Sequence, residues 1–554
     1  MADHEPMTDD ISLLYPDAES ARRSDALGAR LSEASAEQLE LYYLIDLKSS
    51  DIGSFFTADP EVIRYRQETF ADMAENPELG RTLLRMLPLL SDITELRRMG
   101  SEQGASTESY LYSITEVELY TSLIEHMKKG LLPISDRLTS RAFRALADRI
   151  RTLTESEYYK NLNERLNELT RRVREIKSIT VGVNLDAQLR PEHAGVLSIN
   201  NEPFKSGEIL DKILRLDFKE DEYTCIASLV PFRKNQSENQ QMALSFAFNS
   251  AINEVFKTSI RSWKKVVQLY VLENTDFLIR MMPEIEFVVK ASELMTRLRE
   301  RGCRLCRPEI LPAEEKRFDA VNLCNPVVAL KISDPIVPND FSFDEEGMIF
   351  VITGPNRGGK SVMTCAVGLA FVMAQLGLYV CADSARVSPC DAIFTHFPTG
   401  SEDTIDKGRL GEECARLDAI FDTLTENSLA LLDESLSSTG SYEASYIAGE
   451  VLSGFSMARC RCIFSTHLHD LAASVDRINA ECLPKGGVKI DNMVAAIDDG
   501  TRSFKIRRAR PDGKSYARDI AEKYGLSFDK IMNKIEANRK ISGDAAQENG
   551  KDPQ

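Results

Sequence analysis

The run from Met348 to Ala382, MIFVITGPNRGGKSVMTCAVGLAFVMAQLGLYVCA, narrows what this chain can fold into more than any other stretch. A buried-type apolar segment of strand length leads into G-x-x-x-x-G-K-S, and an apolar run of helical length follows. A strand entering a glycine-rich turn that opens a helix is the phosphate-cradling P-loop arrangement, which belongs in an α/β domain. Glycines at 354, 358 and 359 let backbone N–H groups turn toward an anion, and the helix N-terminus adds its dipole. Lys360 is placed to reach the β- and γ-phosphates of a nucleotide, and the Ser361 hydroxyl to ligate Mg²⁺. The candidate cradle comprises Gly354, Pro355, Asn356, Arg357, Gly358, Gly359, Lys360, Ser361 and Val362.

The same run tempts a second reading, because Val362 to Ala382 has the length of a membrane-spanning helix. Gln375, Gly377 and the β-rich LYVCA divide it, which predicts a buried helix followed by a buried strand and no membrane span. The N-terminal MADHEPMTDDISLL is acidic and lacks a basic region before an apolar run, so no export signal is expected. Eleven cysteines without regular spacing point to a reducing, cytoplasmic setting. The closest pairs, Cys303-Arg-Leu-Cys306 and Cys460-Arg-Cys462, have no histidine nearby, and no metal is assigned to them. The balance of 68 Lys and Arg against 86 Asp and Glu, a formal charge of −18, argues against a polycation that coats nucleic acid with its whole surface. It leaves room for a local basic groove.

Two further strand-like runs end in chemistry. SLALLDES carries apolar residues into Asp433 and Glu434; an Asp at a strand end beside a P-loop completes a magnesium site, and the adjacent Glu can accept a proton from attacking water. CIFSTHLHDL ends in Thr466 and His467, where a histidine can hydrogen-bond a γ-phosphate or the lytic water. The candidate catalytic residues are Glu434, Lys360 and His467, and the candidate Mg²⁺ ligands Ser361 and Asp433. His469, two residues on, can equally cap a helix or face solvent.

Around this core the pattern predicts several domains. Residues 1–38 read as a polar lead-in, and 39–177 as a helical core in which Leu162, Leu166, Leu169, Val173 and Ile176 share one stripe. Residues 178–232 carry β-branched runs broken by Asn, Pro and Gly, a strand-bearing insert. Residues 233–305 suggest long helices meeting near Pro283, with Arg261, Lys264 and Lys265 beside Trp263 on a solvated face. From 306 to 525 strands and helices alternate, the pattern of a parallel α/β sheet, and 526–554 form a C-terminal helix and polar tail.

The three strand-end motifs, in this order, resemble the ATPase domain of the MutS family, a branch of the ABC-type ATPases. CNPVVAL with DPIVPNDFSF, GLYVCADSARVSPCDAIFT and GKSYARDIAEKYGLSFDKI are similar to further segments of that domain, and DPEVIRYRQETFADMAENPEL with LPLLSDITELRR resembles the start of the family's helical core and lever. The likeness runs over roughly residues 40 to 540. It implies an α-helical core and lever with a small β-containing insert, followed by an α/β P-loop ATPase domain. It also implies ATP and Mg²⁺ as ligands, with Ile336 and Asn339 near the nucleotide base. Some positions depart from the family. Gly408 stands where a serine reaches the partner's γ-phosphate, five residues before Glu413; Ile336 replaces a stacking aromatic, and Asn325 a histidine. The mismatch-wedge domains before the core and the Smr-type nuclease tail of another branch find no counterpart.

What the resemblance implies is a homodimeric, ATP-switched clamp on double-stranded DNA with slow hydrolysis, in mismatch repair or a related DNA transaction. Direct mismatch reading by the usual wedge is not implied, and the preferred DNA structure stays open. Such a protein would work in the cytoplasm or at the nucleoid, with further repair proteins as partners. Tyr516, Ile520 and Tyr524, with Ala517 and Ala521, share a helical face that suits a dimer contact. The alternative is a nucleotide-regulated scaffold for a protein or ribonucleoprotein partner. A transporter ATPase fits less well, because no LSGGQ-like signature precedes LLDES.

Overall fold

The computed structural model describes residues 11–102, 107–175, 177–185, 187, 191–203, 266, 273–398, 408–498, 501–510 and 524–536. The chain divides into two compact units, Met1–Ala18 with Glu68–Ser292, and Glu19–Gln67 with Glu293–Gln554. Strand β1 (Arg30–Leu31) belongs to the second unit, while β2 (Ser178–Leu185) and β3 (Pro191–Asn200) pair as an antiparallel hairpin in the first.

The first unit is mainly helical. Long helices Pro77–Glu102 and Thr107–Leu131 pack together, followed by Arg141–Glu155 and Glu157–Glu175. In Arg141–Glu155 the residues Ala142, Phe143, Leu146, Ala147, Ile150 and Leu153 are buried, a three-and-four spacing that turns one apolar stripe inward. Ser140 starts that helix by accepting from Phe143 N–H. Leu162 and Leu166 of the sequence-predicted stripe are buried. The hairpin β2–β3 accounts for two of the β-branched runs of the expected insert; the third, like Arg261, Trp263, Lys264 and Lys265, lies outside the described residues. Helices Glu273–Arg280 and Met282–Glu300 meet beside Pro283, which occupies a first turn where its missing N–H costs no hydrogen bond.

The second unit holds the sheet that the P-loop demands. Its strands are β4 (Glu309–Ile310), β5 (Phe318–Leu323), β6 (Asn339–Phe343), β7 (Ile349–Thr353), β8 (Ser384–Val387), β9 (Ala392–His396), β10 (Leu429–Asp433), β11 (Arg461–Ser465), β12 (Ile490–Asp498) and β13 (Thr501–Arg508). The larger sheet runs β1-β9-β10-β11-β7-β12-β13, parallel throughout except for the β12–β13 hairpin. Every residue of β7 and β11 is buried, as expected for parallel strands covered by helices on both faces. The smaller sheet, β4-β8-β5-β6, packs Phe318, Phe341 and Phe343 against Phe350 and Phe371. Arg461 is fully buried, its guanidinium donating to the carbonyls of Ser388, Pro389 and Asn427 and lying over Phe371.

The apolar run after the P-loop is the buried helix Lys360–Gln375. The strand expected at LYVCA does not form. Only Val380 forms a β-bridge, antiparallel to Cys306, and the next strand starts at Ser384. Among the described residues no helix is long and apolar enough to cross a membrane. The polar lead-in is ordered over much of its length. Helix Ala18–Leu27, β1 and helix Glu33–Gln38 all form, and β1 pairs in parallel with β9 at the sheet edge. Small residues allow that close packing while keeping their hydroxyls bonded: Ser24 to Thr57, and Ser35 to the carbonyl of Ile393.

Candidate active site

Because β10, β11 and β7 are adjacent and parallel, their C-terminal ends share one edge, and the three strand-end motifs meet there. The cradle follows β7 directly. Gly354 has φ +138°, and a Cβ at that position would lie 2.8 Å from Ala495 Cβ. Gly359 has φ +95° and caps the N-terminus of helix Lys360–Gln375. Both positions need glycine, the first for space and conformation and the second for conformation. Arg357 also takes the left-handed region, φ +59°, with an exposed side chain; Asn356 beside it is exposed too, and Gly358 and Pro355 are buried.

Lys360 is buried, 4% exposed. Its Nζ donates to the carbonyls of Gly354 (3.3 Å) and Pro355 (3.4 Å) and stands 3.7 Å from Glu434 Oε1. His467 Nε2 lies 3.3 Å from Lys360 Nζ and 2.9 Å from Glu434 Oε1. One ring nitrogen cannot donate to a carboxylate and accept from an ammonium together, so the shorter contact assigns its proton to Glu434. Burial holds the Lys360 pKa below its ordinary value, opposed by the charges of Glu434 and Asp433. Glu434 itself sits at φ +48°, with its N–H donating to Ser465 O, so the chain leaves β10 abruptly and presents the carboxylate at the edge.

Beside this cluster, Ser361 Oγ donates to Asp433 Oδ1 at 3.0 Å. Burial raises the Asp433 pKa, the Ser361 bond opposing it. Among the described residues no group of three or more His, Cys, Asp or Glu could hold a metal alone. A hydroxyl and a carboxylate in contact, with lone pairs to spare, are nevertheless the oxygen donors that Mg²⁺ takes from protein when phosphates and water complete its shell, so the residues fit that ion.

The outlying candidates are placed differently. Ile336 lines a cavity of about 630 Å³ together with Pro338, Ala329, Cys324 and Asp383. Asn339 is committed to the fold: its amide donates to Phe504 O, and its oxygen accepts from Ile506 N–H, tying β6 to β13. Gly408, exposed at φ +65°, opens helix Gly408–Phe421, and a serine there would adopt a strained backbone. One oxygen of Glu413 is buried without a hydrogen-bond partner. His469 begins helix His469–Cys482 and is exposed.

Two residues were not legible as site members. His396, 1% exposed at the end of β9, contacts Ser435 Oγ at 2.7 Å and the Glu413 carbonyl at 3.2 Å. It thus joins the turn after Asp433 and Glu434 to helix Gly408–Phe421. Burial lowers its pKa to about 4, which keeps it neutral with Nε2–H donating to Glu413 O and Nδ1 accepting from Ser435. Asn325 caps helix Pro326–Lys331, accepting from Val327 and Val328 N–H, and donates to the carbonyl of Val362. That contact fixes the start of the P-loop helix from the side, a role that only the packed structure reveals.

A P-loop at the end of a central parallel strand, with His at the end of the neighbouring strand and Asp-Glu at the end of the next one, defines a nucleotide-binding α/β domain of the P-loop class. Residues 350–536 match the family model MutS domain V, and residues 58–301 match the MutS2 N-terminal domain. The chain therefore carries MutS-type domains in both regions, as the sequence resemblance implied. Among curated relatives, the DNA mismatch repair protein MutS of Roseiflexus sp. (strain RS-1) is 35% identical over 231 residues, 40% of this chain and 20% of that protein. That of Chloroflexus aurantiacus (strain ATCC 29366 / DSM 635 / J-10-fl) is 32% identical over 256 residues, 45% of this chain and 25% of the relative. The DNA mismatch repair protein Msh6 of Gallus gallus is 35% identical over 181 residues, 30% and 13% respectively. The matched stretch spans a quarter or less of the length of each of these relatives.

Proposed function

We propose that this chain is an ATP-dependent DNA-binding protein of the MutS type, which hydrolyses ATP slowly and uses the cycle to switch its hold on DNA. The observation that carries the proposal is the meeting of Lys360, Glu434 and His467 beside the Ser361–Asp433 pair at one sheet edge. Lys360 exchanges its loop carbonyls for the β- and γ-phosphates, which relieves the cost of a buried ammonium. Glu434, freed from Lys360, accepts a proton from the attacking water, and His467 orients that carboxylate through the 2.9 Å bond. Ser361 and, through water, Asp433 would hold Mg²⁺, which would supply positive charge beside the phosphates. Ile336 contacts the base by apolar packing.

A homodimer follows from surfaces in the same unit. Tyr442 and Tyr446, 84% and 67% exposed, lie one turn apart on helix Ser441–Ala458, just after the Asp-Glu turn. Tyr524, Leu526 and Phe528 are exposed further along. In that dimer Gly408 and Glu413 of one copy face the other's nucleotide, with the Gly408 N–H replacing a serine hydroxyl. Tyr516 and Ile520 of the expected contact face lie outside the described residues.

DNA is favoured over a protein scaffold by a cavity of about 510 Å³ in the helical unit, where Arg81, Arg85, Lys129 and Arg137 line the wall with Glu78 as the one carboxylate among the described lining residues. Four clustered cations in an acidic chain suit a phosphate backbone. The test measures ATPase rate and sedimentation with no DNA, homoduplex, mismatched duplex and branched DNA at two salt concentrations, with Lys360→Ala as control. Stimulation that weakens with salt is expected. Indifference to every DNA favours the scaffold, and unchanged ATP affinity in Lys360→Ala by calorimetry would overturn the nucleotide reading itself.

A further inference from the structure

Four cysteines that the ATPase reading leaves unused converge in the second unit. Helix Met282–Glu300 ends in a turn in which Gly302 takes φ +80° and Cys303 N–H donates to Leu298 O at 3.0 Å, so the position of Cys303 is fixed. Three residues on, Cys306 and Val380 exchange both backbone hydrogen bonds, at 3.0 and 2.9 Å. That bridge draws the turn against the stretch carrying Cys381, whose carbonyl accepts from Cys324 N–H at 2.8 Å. Cys303 and Cys324 line the 630 Å³ cavity that also holds Ile336, Arg301, Arg304 and Asp383, whereas Cys381 is 1% exposed behind it.

We propose that Cys303 and Cys381 are a peroxide-reactive dithiol pair, closing to a disulfide across the wall of the cavity that Ile336 lines. The Cys306–Val380 bridge sets the two residues, three before Cys306 and one after Val380, side by side, and their thiols influence one another. Cys303 lines the cavity and Cys381 is buried behind it, so Cys303 is the accessible, attacking thiolate, its pKa lowered beside Cys381, and Cys381 the resolving thiol. Burial pushes Cys306 and Cys324 up to about 11, which removes them as competitors.

The chemistry balances with a hydroperoxide as oxidant. The Cys303 thiolate attacks one peroxide oxygen; an S–O bond forms, the O–O bond breaks, and the leaving hydroxide takes up the proton that the Cys303 thiol released to solvent on ionising, giving water. The Cys381 sulfur then attacks the resulting sulfenic sulfur; the S–S bond forms, the S–O bond breaks, and the departing oxygen leaves as water with the Cys381 proton. Two thiols lose two electrons, and the peroxide is reduced by the same two. The cross-link fastens the end of helix Met282–Glu300 to the stretch that follows the P-loop helix.

The test treats the reduced full-length protein with hydrogen peroxide, alkylates the remaining thiols and maps peptides by mass spectrometry. A Cys303–Cys381 linked peptide that dithiothreitol reverses is expected, with Cys303 consumed about tenfold faster than Cys306 or Cys324. Cys381→Ala, checked for folding by circular dichroism, should stop at a Cys303 sulfenic acid that dimedone traps; Cys303→Ser should give neither product. Equal consumption of all thiols, or Cys303 oxidation in the parent protein without a linked peptide, would overturn the pair. So would zinc retained by the purified protein and lost in Cys303→Ser, since the thiols would then be metal ligands. The mapping needs no nucleotide, so its outcome is independent of the ATPase reading.

Discussion

Two carboxylates, one in each unit, show how the same group serves structure in one place and chemistry in another. Asp72, 0% exposed in the helical unit, is saturated: it accepts from Thr139 N and Oγ1 and from Ser140 N and Oγ, at 2.6 to 3.1 Å. Each oxygen is occupied, so the charge is compensated and can bind nothing more. Asp433, at the sheet edge, has the Ser361 hydroxyl as its hydrogen-bond partner. Burial without matching compensation raises its pKa, and open lone pairs remain for a metal-bound water. A carboxylate that the fold leaves short of partners marks where a ligand belongs; one with a full set marks an anchor.

The contrast can be broken at several points. The largest effect is expected from Glu434→Ala, which should lower ATP turnover by roughly 10² to 10⁴-fold while ATP stays bound; single-turnover phosphate release with a parallel binding titration checks both. Normal turnover would remove Glu434 from the chemistry. Next, Asp72→Ala strands two backbone and two hydroxyl donors in the helical unit and should cost about 3 kcal/mol in urea unfolding, with no direct effect on the nucleotide site. A loss below about 1 kcal/mol would mean that the anchor is not one.

His396 tests the link between the Asp-Glu turn and helix Gly408–Phe421. Its folded pKa of about 4 lies below the ordinary 6.5, so the neutral ring contributes stability that is present above 6.5 and lost as the pH falls toward 4. About 3 kcal/mol should go in that window, and His396→Gln should flatten the profile. The smallest effect is expected from Asp433→Asn. A carboxylate with a raised folded pKa carries stability present at low pH and lost as the pH rises through that value. Neutralising it should therefore leave the unfolding temperature at pH 7 equal or slightly higher while Mg²⁺-dependent ATP binding falls. A clear drop in stability would place Asp433 with Asp72 as an anchor.

The P-loop strand, its buried helix and the strands ending in Asp433 and His467 were legible because local pattern and motif agree there. The missing strand at LYVCA was not, since five apolar β-formers make a strand only when a neighbour supplies a ladder, and here Cys306 supplies one bridge. The order in 11–38 was hidden for the opposite reason. Small polar residues read as loosely held until Ser24 and Ser35 find partners far away in sequence. His396 carries no motif, and Asn325 reads in the sequence only as the replacement of a family histidine; their roles come from side chains that bridge elements distant in the chain.

The sequence by itself determined the chemistry available at each strand end, because residue type and glycine placement act over a few residues. Only the tertiary structure decided that Lys360, Glu434 and His467 share one cluster, that Asp433 is left short of partners while Asp72 is saturated, and that Cys303 meets Cys381. Each of those depends on which strands lie side by side and which turns they bring together, and sheet order is a long-range property that no local pattern encodes.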